Sequence, residues 1–295
     1  MRPPNKFAVG ALSLIARVVP PLGGSVAYAL FKYPLAKAKP GSNERSVLAE
    51  AQRGSVTVNG KKAVTYRWGT GERPVLLVHG WQSRGSRYAA LVPVLLERGY
   101  SPISFDAPAH GDSEGRTTEI REFREIISSL AAEYGEFEAV VAHSFGALAT
   151  FLALREGEGV RARRVVTLSA VCEFEYLVDE FCRVLHLGPR INGHLRRQVE
   201  RDLFPGEADL WRRFSVVHRP EAVGVPILVI HDEGDDMADI AQSERIIAAY
   251  GDQVSTLITK GLGHRTLRDP AVVDAVSTFV TAGERQAAAA VDAEN

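Results

Sequence analysis

Ser144 stands in the run "VVAHSFGALA", with Ala142 two residues before it and Gly146 two after. A serine hydroxyl is a poor nucleophile at its free pKa. It needs a base within hydrogen-bond reach, and the base needs a carboxylate to orient it. Small residues two before and two after a serine fit a sharp strand-to-helix turn, which crowds the chain and pushes the hydroxyl outward. The same residues also fit a helix N-cap serine followed by glycine.

The chain offers eight histidines as candidate bases. His186, His194 and His218 fall in a helical stretch and suit structural or surface roles. His79 and His143 directly precede turns and suit loop bracing by hydrogen bonds. His110 lies in the loop after Asp106, and His231 ends a strand. His264 stands in "TKGLGHRTLRDP", after the last strand and before the last helix, where a side chain can reach into a cleft. For the carboxylate, "ILVIHDEGDDMAD" supplies Asp232, Glu233, Asp235 and Asp236 between the serine and the histidine in chain order. Most of such a cluster must face water, because several buried carboxylates repel one another.

The elements that must position these groups follow from the patterning. "SVTVNGKKAVTYRWG" reads as two strands around an Asn59-Gly60 hairpin turn. "PVLLVHG" is a continuous apolar run, as expected of a strand buried on both faces. Strand and helix then alternate: "RYAALVPVLLERGY" helical, "SPISFD" extended, "TEIREFREIISSLAAEYG" helical, "EAVVAHS" extended, "FGALATFLALREG" helical. "RRVVTLSA", "VPILVIHD" and "QVSTLITKG" are further strands; "SERIIAAYG" and "DPAVVDAVSTFVTAG" are further helices. Such alternation specifies an α/β fold with a mainly parallel sheet and helices on both faces. Its ligand sites lie at the carboxyl ends of the strands.

Residues 172–223 break the alternation with helical patterns and no clear strand, and they are read as a small helical cap over the working edge. Phe174, Phe181, Trp211 and Phe214 in this insertion are the expected lining of an apolar substrate pocket. Residues 1–54 form an apolar N-terminal arm, 55–282 the main domain, and 283–295 a flexible tail or frayed helix end.

The chain of 295 residues carries a net charge of −1, which argues for neither nucleic acid nor a strongly charged partner. Two cysteines, Cys172 and Cys182, give no disulfide framework and no zinc spacing, which fits a reducing, cytoplasmic compartment. "FAVGALSLIARVVPPLGGSVAYALF" is cut by Arg17, Pro20-Pro21 and Gly23-Gly24 into runs shorter than the roughly 20 residues a spanning helix needs. Three readings of it follow: a helical arm packed on the domain, weak membrane-surface association through residues 7–31, or a signal segment.

Over about residues 55–282 the chain resembles the α/β-hydrolase superfamily, on the serine-nucleophile branch. The resemblance rests on "HG" at 79–80 followed by Trp81, on "DAPAHGDSEG" with Ala109 where a glycine is usual, and on the Ala-His-Ser-Phe-Gly elbow. "H-x-x-x-D" and "G-x-G-H" complete it. It implies an α/β-hydrolase fold, with Ser144 as nucleophile, Asp235 as orienting acid and His264 as base. It implies an oxyanion hole from the backbone N–H groups of Trp81 and Phe145, and neither metal nor organic cofactor. An apolar N-terminal arm also resembles a subgroup of the family.

A serine esterase acting on carboxylic esters is the activity implied, with a small, apolar ester as the substrate. Thioesterase, lipase, acyltransferase and haloperoxidase chemistry, or a non-catalytic binding scaffold, are the alternatives. The spacing of His264 and Asp269 also resembles an acyltransferase H-x4-D signature, although Asp269-Pro270 suits a helix start equally well.

Overall fold

The computed structural model describes residues 20–34 and 37–294. Residues 1–19, which hold much of the apolar arm and of the 7–31 segment, lie outside the described residues. The hairpin comprises β1 (Gln52–Val58) and β2 (Lys61–Arg67), paired antiparallel. Asn59 and Gly60 at its tip have φ of 48° and 70°, the positive values that a two-residue hairpin turn of this hand demands.

Six more strands follow: β3 (Pro74–Val78), β4 (Ser101–Asp106), β5 (Ala139–His143), β6 (Val165–Leu168), β7 (Ile227–Asp232) and β8 (Val254–Thr259). They form one eight-stranded sheet in the order β1-β2-β4-β3-β5-β6-β7-β8. β2 joins β4 antiparallel, and every pair from β4 through β8 is parallel. Parallel neighbours need crossover helices, and the helices cover both faces.

Alternation along each strand assigns the two cores. Leu76, Val78, Val140 and Val229 point to one side, among Phe123, Ile126, Leu148 and Ile246. These last come from α4 (Ile120–Tyr134), α5 (Phe145–Glu156) and α9 (Ile240–Tyr250). Val75, Leu77, Val141 and Ile230 point to the other side, against α3 (Leu91–Glu97) and α10 (Pro270–Glu294) through Leu91, Leu95, Val272 and Val276. The run "PVLLV" of β3, read as a doubly buried strand, is covered in this way on both faces. α4 opens on a reciprocal capping box between Glu119 and Glu122.

Between β6 and β7 the chain is helical: α6 (Phe174–Val184), α7 (Pro189–Gln198), a π-helical turn at Val199–Leu203, and α8 (Leu210–Arg213). Before the hairpin lie α1 (Pro20–Phe31) and α2 (Ser42–Glu50). α1 packs on α7, with Ala27 fully buried and the Phe31 ring edge-on to Phe181 at 5.4 Å. At the other end, α10 runs on to Glu294, so of the two expectations for 283–295, a tail or a helix end, the backbone takes the helical one. The reason is composition: "ERQAAAAVDAE" is rich in strong helix formers and simply extends the preceding helix. Among the described residues no helix is long and apolar enough to cross a membrane.

Candidate active site

Ser144 sits between β5 and α5 with φ 54° and ψ −122°, a strained conformation for a non-glycine residue. Tertiary contacts hold it there: its N–H donates to Leu168 O at 3.0 Å, and its carbonyl accepts from Ala147 N at 3.0 Å. The crowding that the small neighbours implied is direct. A Cβ on Gly146 would meet Val78 O at 2.6 Å and His79 O at 2.8 Å. A Cβ on Gly80 would meet the Ser144 side chain at 2.9 Å. The glycine of the "HG" pair and the glycine after the serine thus let the end of β3 and the β5–α5 turn touch.

His264 lies on the loop after β8, and Asp235 on the loop after β7. His264 Nδ1 lies 3.0 Å and 2.8 Å from the two Asp235 carboxylate oxygens, so Nδ1–H donates and Nε2 is left as the basic nitrogen. The Asp235 side chain is 1 % exposed and that of His264 16 %. Burial alone would raise the Asp235 carboxyl. His264, and then the N–H groups of Ala238 and Met237, outweigh it and hold the carboxyl below the usual range.

The remaining acids of the cluster have other placements. Asp232 is fully buried and does not meet the histidine. Its carboxylate accepts from Leu262 N at 2.9 Å, Thr259 Oγ1 at 2.8 Å and Gly234 N at 3.0 Å. It therefore ties together the two loops that carry Asp235 and His264, a role the sequence pattern gave no sign of. Glu233 and Asp236 are exposed. Asp269 accepts from Ala271 N at 2.8 Å and caps α10, so the H-x4-D spacing is a helix start.

His143, next to the serine, donates from Nε2 to the His264 carbonyl at 2.8 Å, which joins the serine turn to the histidine loop. His79 donates from Nδ1 to Gly80 O and accepts the Ala107 N–H on Nε2 at 3.0 Å. His110 accepts the Gln82 N–H at 2.9 Å and donates to Pro108 O at 3.0 Å. Burial, ahead of every other cause, pulls these three imidazoles down to about 3, about 4 and about 3 respectively, so all are neutral braces.

A cavity of about 850 Å³ opens beside these groups, lined by Ser144, His264, Trp81 and Phe145. Phe174 and Phe181 of α6 also line it. Trp211 and Phe214 do not, which corrects the expectation that all four aromatics form the pocket. Phe214 is 1 % exposed and packs edge-on to Phe174 and Phe204, at ring distances of 5.3 Å and 4.9 Å. Trp211 lies behind Phe174 and donates from Nε1 to Glu200 at 2.6 Å. Aromatic residues on short helices were indistinguishable by type; which side faced the cavity depended on how α6 and α8 pack. The arm supplies wall that sequence reading did not anticipate, through Leu30 and Phe31.

Comparison with known proteins agrees with this architecture. Among curated proteins, none matches the chain in sequence. The chain is similar in structure to a monoacylglycerol lipase from Paleococcus ferrophilus, with 23 % identity and a TM-score of 0.56, over 74 % of this chain and 98 % of that one. It is similar to the esterase PF2001 from Pyrococcus furiosus, with 16 % identity and a TM-score of 0.61, over 83 % and 96 % of the two chains. It is similar also to the esterase RhEst1 from Rhodococcus sp., with 17 % identity and a TM-score of 0.58, over 79 % and 98 %. The model of the alpha/beta hydrolase family matches residues 75–276, which span the sheet from β3 to β8 and reach into α10. With that match over most of its length, the chain belongs to the alpha/beta hydrolase family.

Proposed function

We propose that the protein is a serine hydrolase of carboxylic esters that works through an acyl-enzyme on Ser144. One observation carries the reading: the Asp235 carboxylate on His264 Nδ1, at the wall of the cavity that Ser144 also lines. In this reading the Ser144 oxygen attacks the ester carbonyl carbon while His264 Nε2 takes the hydroxyl proton. The backbone N–H groups of Trp81 and Phe145 receive the developing oxyanion, each such donor being worth about 3–4 kcal/mol. Collapse of the tetrahedral species breaks the bond to the leaving oxygen, which receives the proton from His264. Water then attacks the acyl-enzyme with its proton going to Nε2, and the acid leaves as Ser144 regains its hydrogen. Asp235 stays ionised throughout and steadies the imidazolium. The apolar wall from Phe174 and Phe181 suits an apolar acyl chain.

The test is covalent. A fluorophosphonate probe should label the protein once, and Ser144→Ala should abolish labelling and lower ester hydrolysis by about 10⁴-fold or more. Labelling that persists in Ser144→Ala, with hydrolysis intact, would overturn the assignment.

A further inference from the structure

The cavity wall that continues from His264 is chemically unlike the rest. Arg265 and Arg268, on the loop directly after the histidine, line the cavity together with Arg87. The lining carboxylates away from this wall are neutralised locally, Glu119 by Arg121 at 3.0 Å and Glu180 by Arg183 at 2.5 Å, and Lys32, on the arm, sits with its Nζ 4.0 Å from the centre of the Tyr28 ring. Glu44 of α2 is engaged by Arg87 and by the Ser86 hydroxyl. Among the described residues, Arg265 and Arg268 make no side-chain hydrogen bond and no salt bridge. Partial desolvation, then the neighbouring charges of Arg87 and Arg268, lower the proton affinity of Arg265, with Glu44 alone opposing.

Three guanidiniums thus share one carboxylate. Planar guanidinium forks match the oxygens of carboxylates and phosphates alike, and the excess of positive charge favours the dianion of a phosphate monoester over a single carboxylate. Position gives the orientation. The base hands its proton to the leaving group, so the leaving group must lie against the histidine loop, the same loop that carries Arg265 and Arg268.

We propose that this edge of the cavity is an anion subsite, in which Arg265, Arg268 and Arg87 hold a phosphate carried on the alcohol or thiol side of an acyl substrate. The proposal rests on the serine hydrolase reading and names its substrate class. Two sources share the chemistry: an acylated glycerol phosphate and an acyl thioester of a phosphorylated carrier such as coenzyme A.

The experiment compares octanoyl-glycerol, 1-octanoyl-glycerol 3-phosphate and octanoyl-coenzyme A with the full-length protein, Arg268→Gln and Arg265→Gln/Arg268→Gln. The expected quantity is a ratio. kcat/KM for a phosphate-bearing substrate over that for octanoyl-glycerol should exceed one, and fall about 10-fold for each arginine removed. Added salt should lower the same ratio, and Arg268→Lys should recover part of it. A larger ratio for the glycerol phosphate than for the thioester assigns the lipid source, and the reverse assigns the carrier.

A ratio that neither substitution nor salt moves would overturn the subsite while leaving ester hydrolysis by Ser144 standing. Calorimetry on Ser144→Ala gives a readout independent of turnover. Tighter binding of octanoyl-glycerol 3-phosphate than of octanoyl-glycerol, lost on removing both arginines, supports the subsite even if no ester is hydrolysed. Equal binding of the two overturns it.

Discussion

Asp232 and Asp235 are three residues apart and hold different things. Asp235 turns to the histidine, whereas Asp232 gathers backbone N–H groups from the loops after β7 and β8. Burial opposes ionisation of Asp232, but the N–H of Leu262, the Thr259 hydroxyl and the N–H groups of Gly263 and Gly234 prevail and hold it at about 2. Asp235→Asn should therefore lower kcat by about 10⁴-fold with little change in melting temperature, the usual effect of losing an orienting carboxylate. Asp232→Asn should lower the melting temperature first, because its amide cannot accept as many N–H donors from both loops. Asp236→Asn, at an exposed position, should change neither. Ester kinetics and thermal melts on the three variants decide it; a damaging Asp236→Asn would mean that the loop is read in the wrong register.

The cap helices divide their aromatics between two tasks. Phe174 and Phe181 line the cavity, while Phe214 and Trp211 support Phe174 from behind. Octanoate esters should be turned over faster than acetate esters, each buried methylene adding up to about 0.8 kcal/mol, or roughly fourfold. Phe181→Ala should narrow that gap at modest cost in stability. Phe214→Ala should instead cost about 3 kcal/mol or more, the usual price of a cavity at a fully buried phenylalanine. Chain-length profiles and urea unfolding of both variants separate the tasks. A Phe214→Ala protein of unchanged stability and altered chain-length preference would reverse the assignment.

Across the whole molecule, three neutral imidazoles are built into the rear of the site. His79, His110 and His143 have folded-state values of about 4, about 3 and about 3, all below the ordinary value near 6.5. In the unfolded chain each takes up a proton as the pH drops through 6.5, and in the folded chain it does not. The unfolded state then binds more protons, so stability is complete above that pH and declines as acid is added, down to about 3–4. Each histidine contributes a slope of about 1.4 kcal/mol per pH unit within the window. Urea midpoints should therefore drop between pH 7 and pH 5, and His110→Gln should flatten the slope. A midpoint constant over that range would show that the three rings take up protons as readily in the folded protein as in the unfolded chain.

Much of this was legible in one dimension. The alternating strands and helices dictated a parallel sheet because a continuous apolar strand can be covered only by crossover helices. The hairpin followed from Asn59-Gly60, and the strained turn from small residues on either side of Ser144. Spacing along the chain could nominate Ser144, His264 and the acid cluster at the end of β7, since strand ends in such a sheet converge on one edge, and the family resemblance then pointed to Asp235. Spacing could not distinguish Asp232 from Asp235, because the two acids stand three residues apart where β7 ends and only the approach of the neighbouring loop decides which turns to the histidine. Nor could it tell lining from support among four cap aromatics, or show that α1 closes part of the cavity wall. Local pattern determines which elements form and which faces they bury. Which side chains finally meet depends on contacts between residues far apart in sequence, and those exist only once the sheet, the cap and the arm have packed.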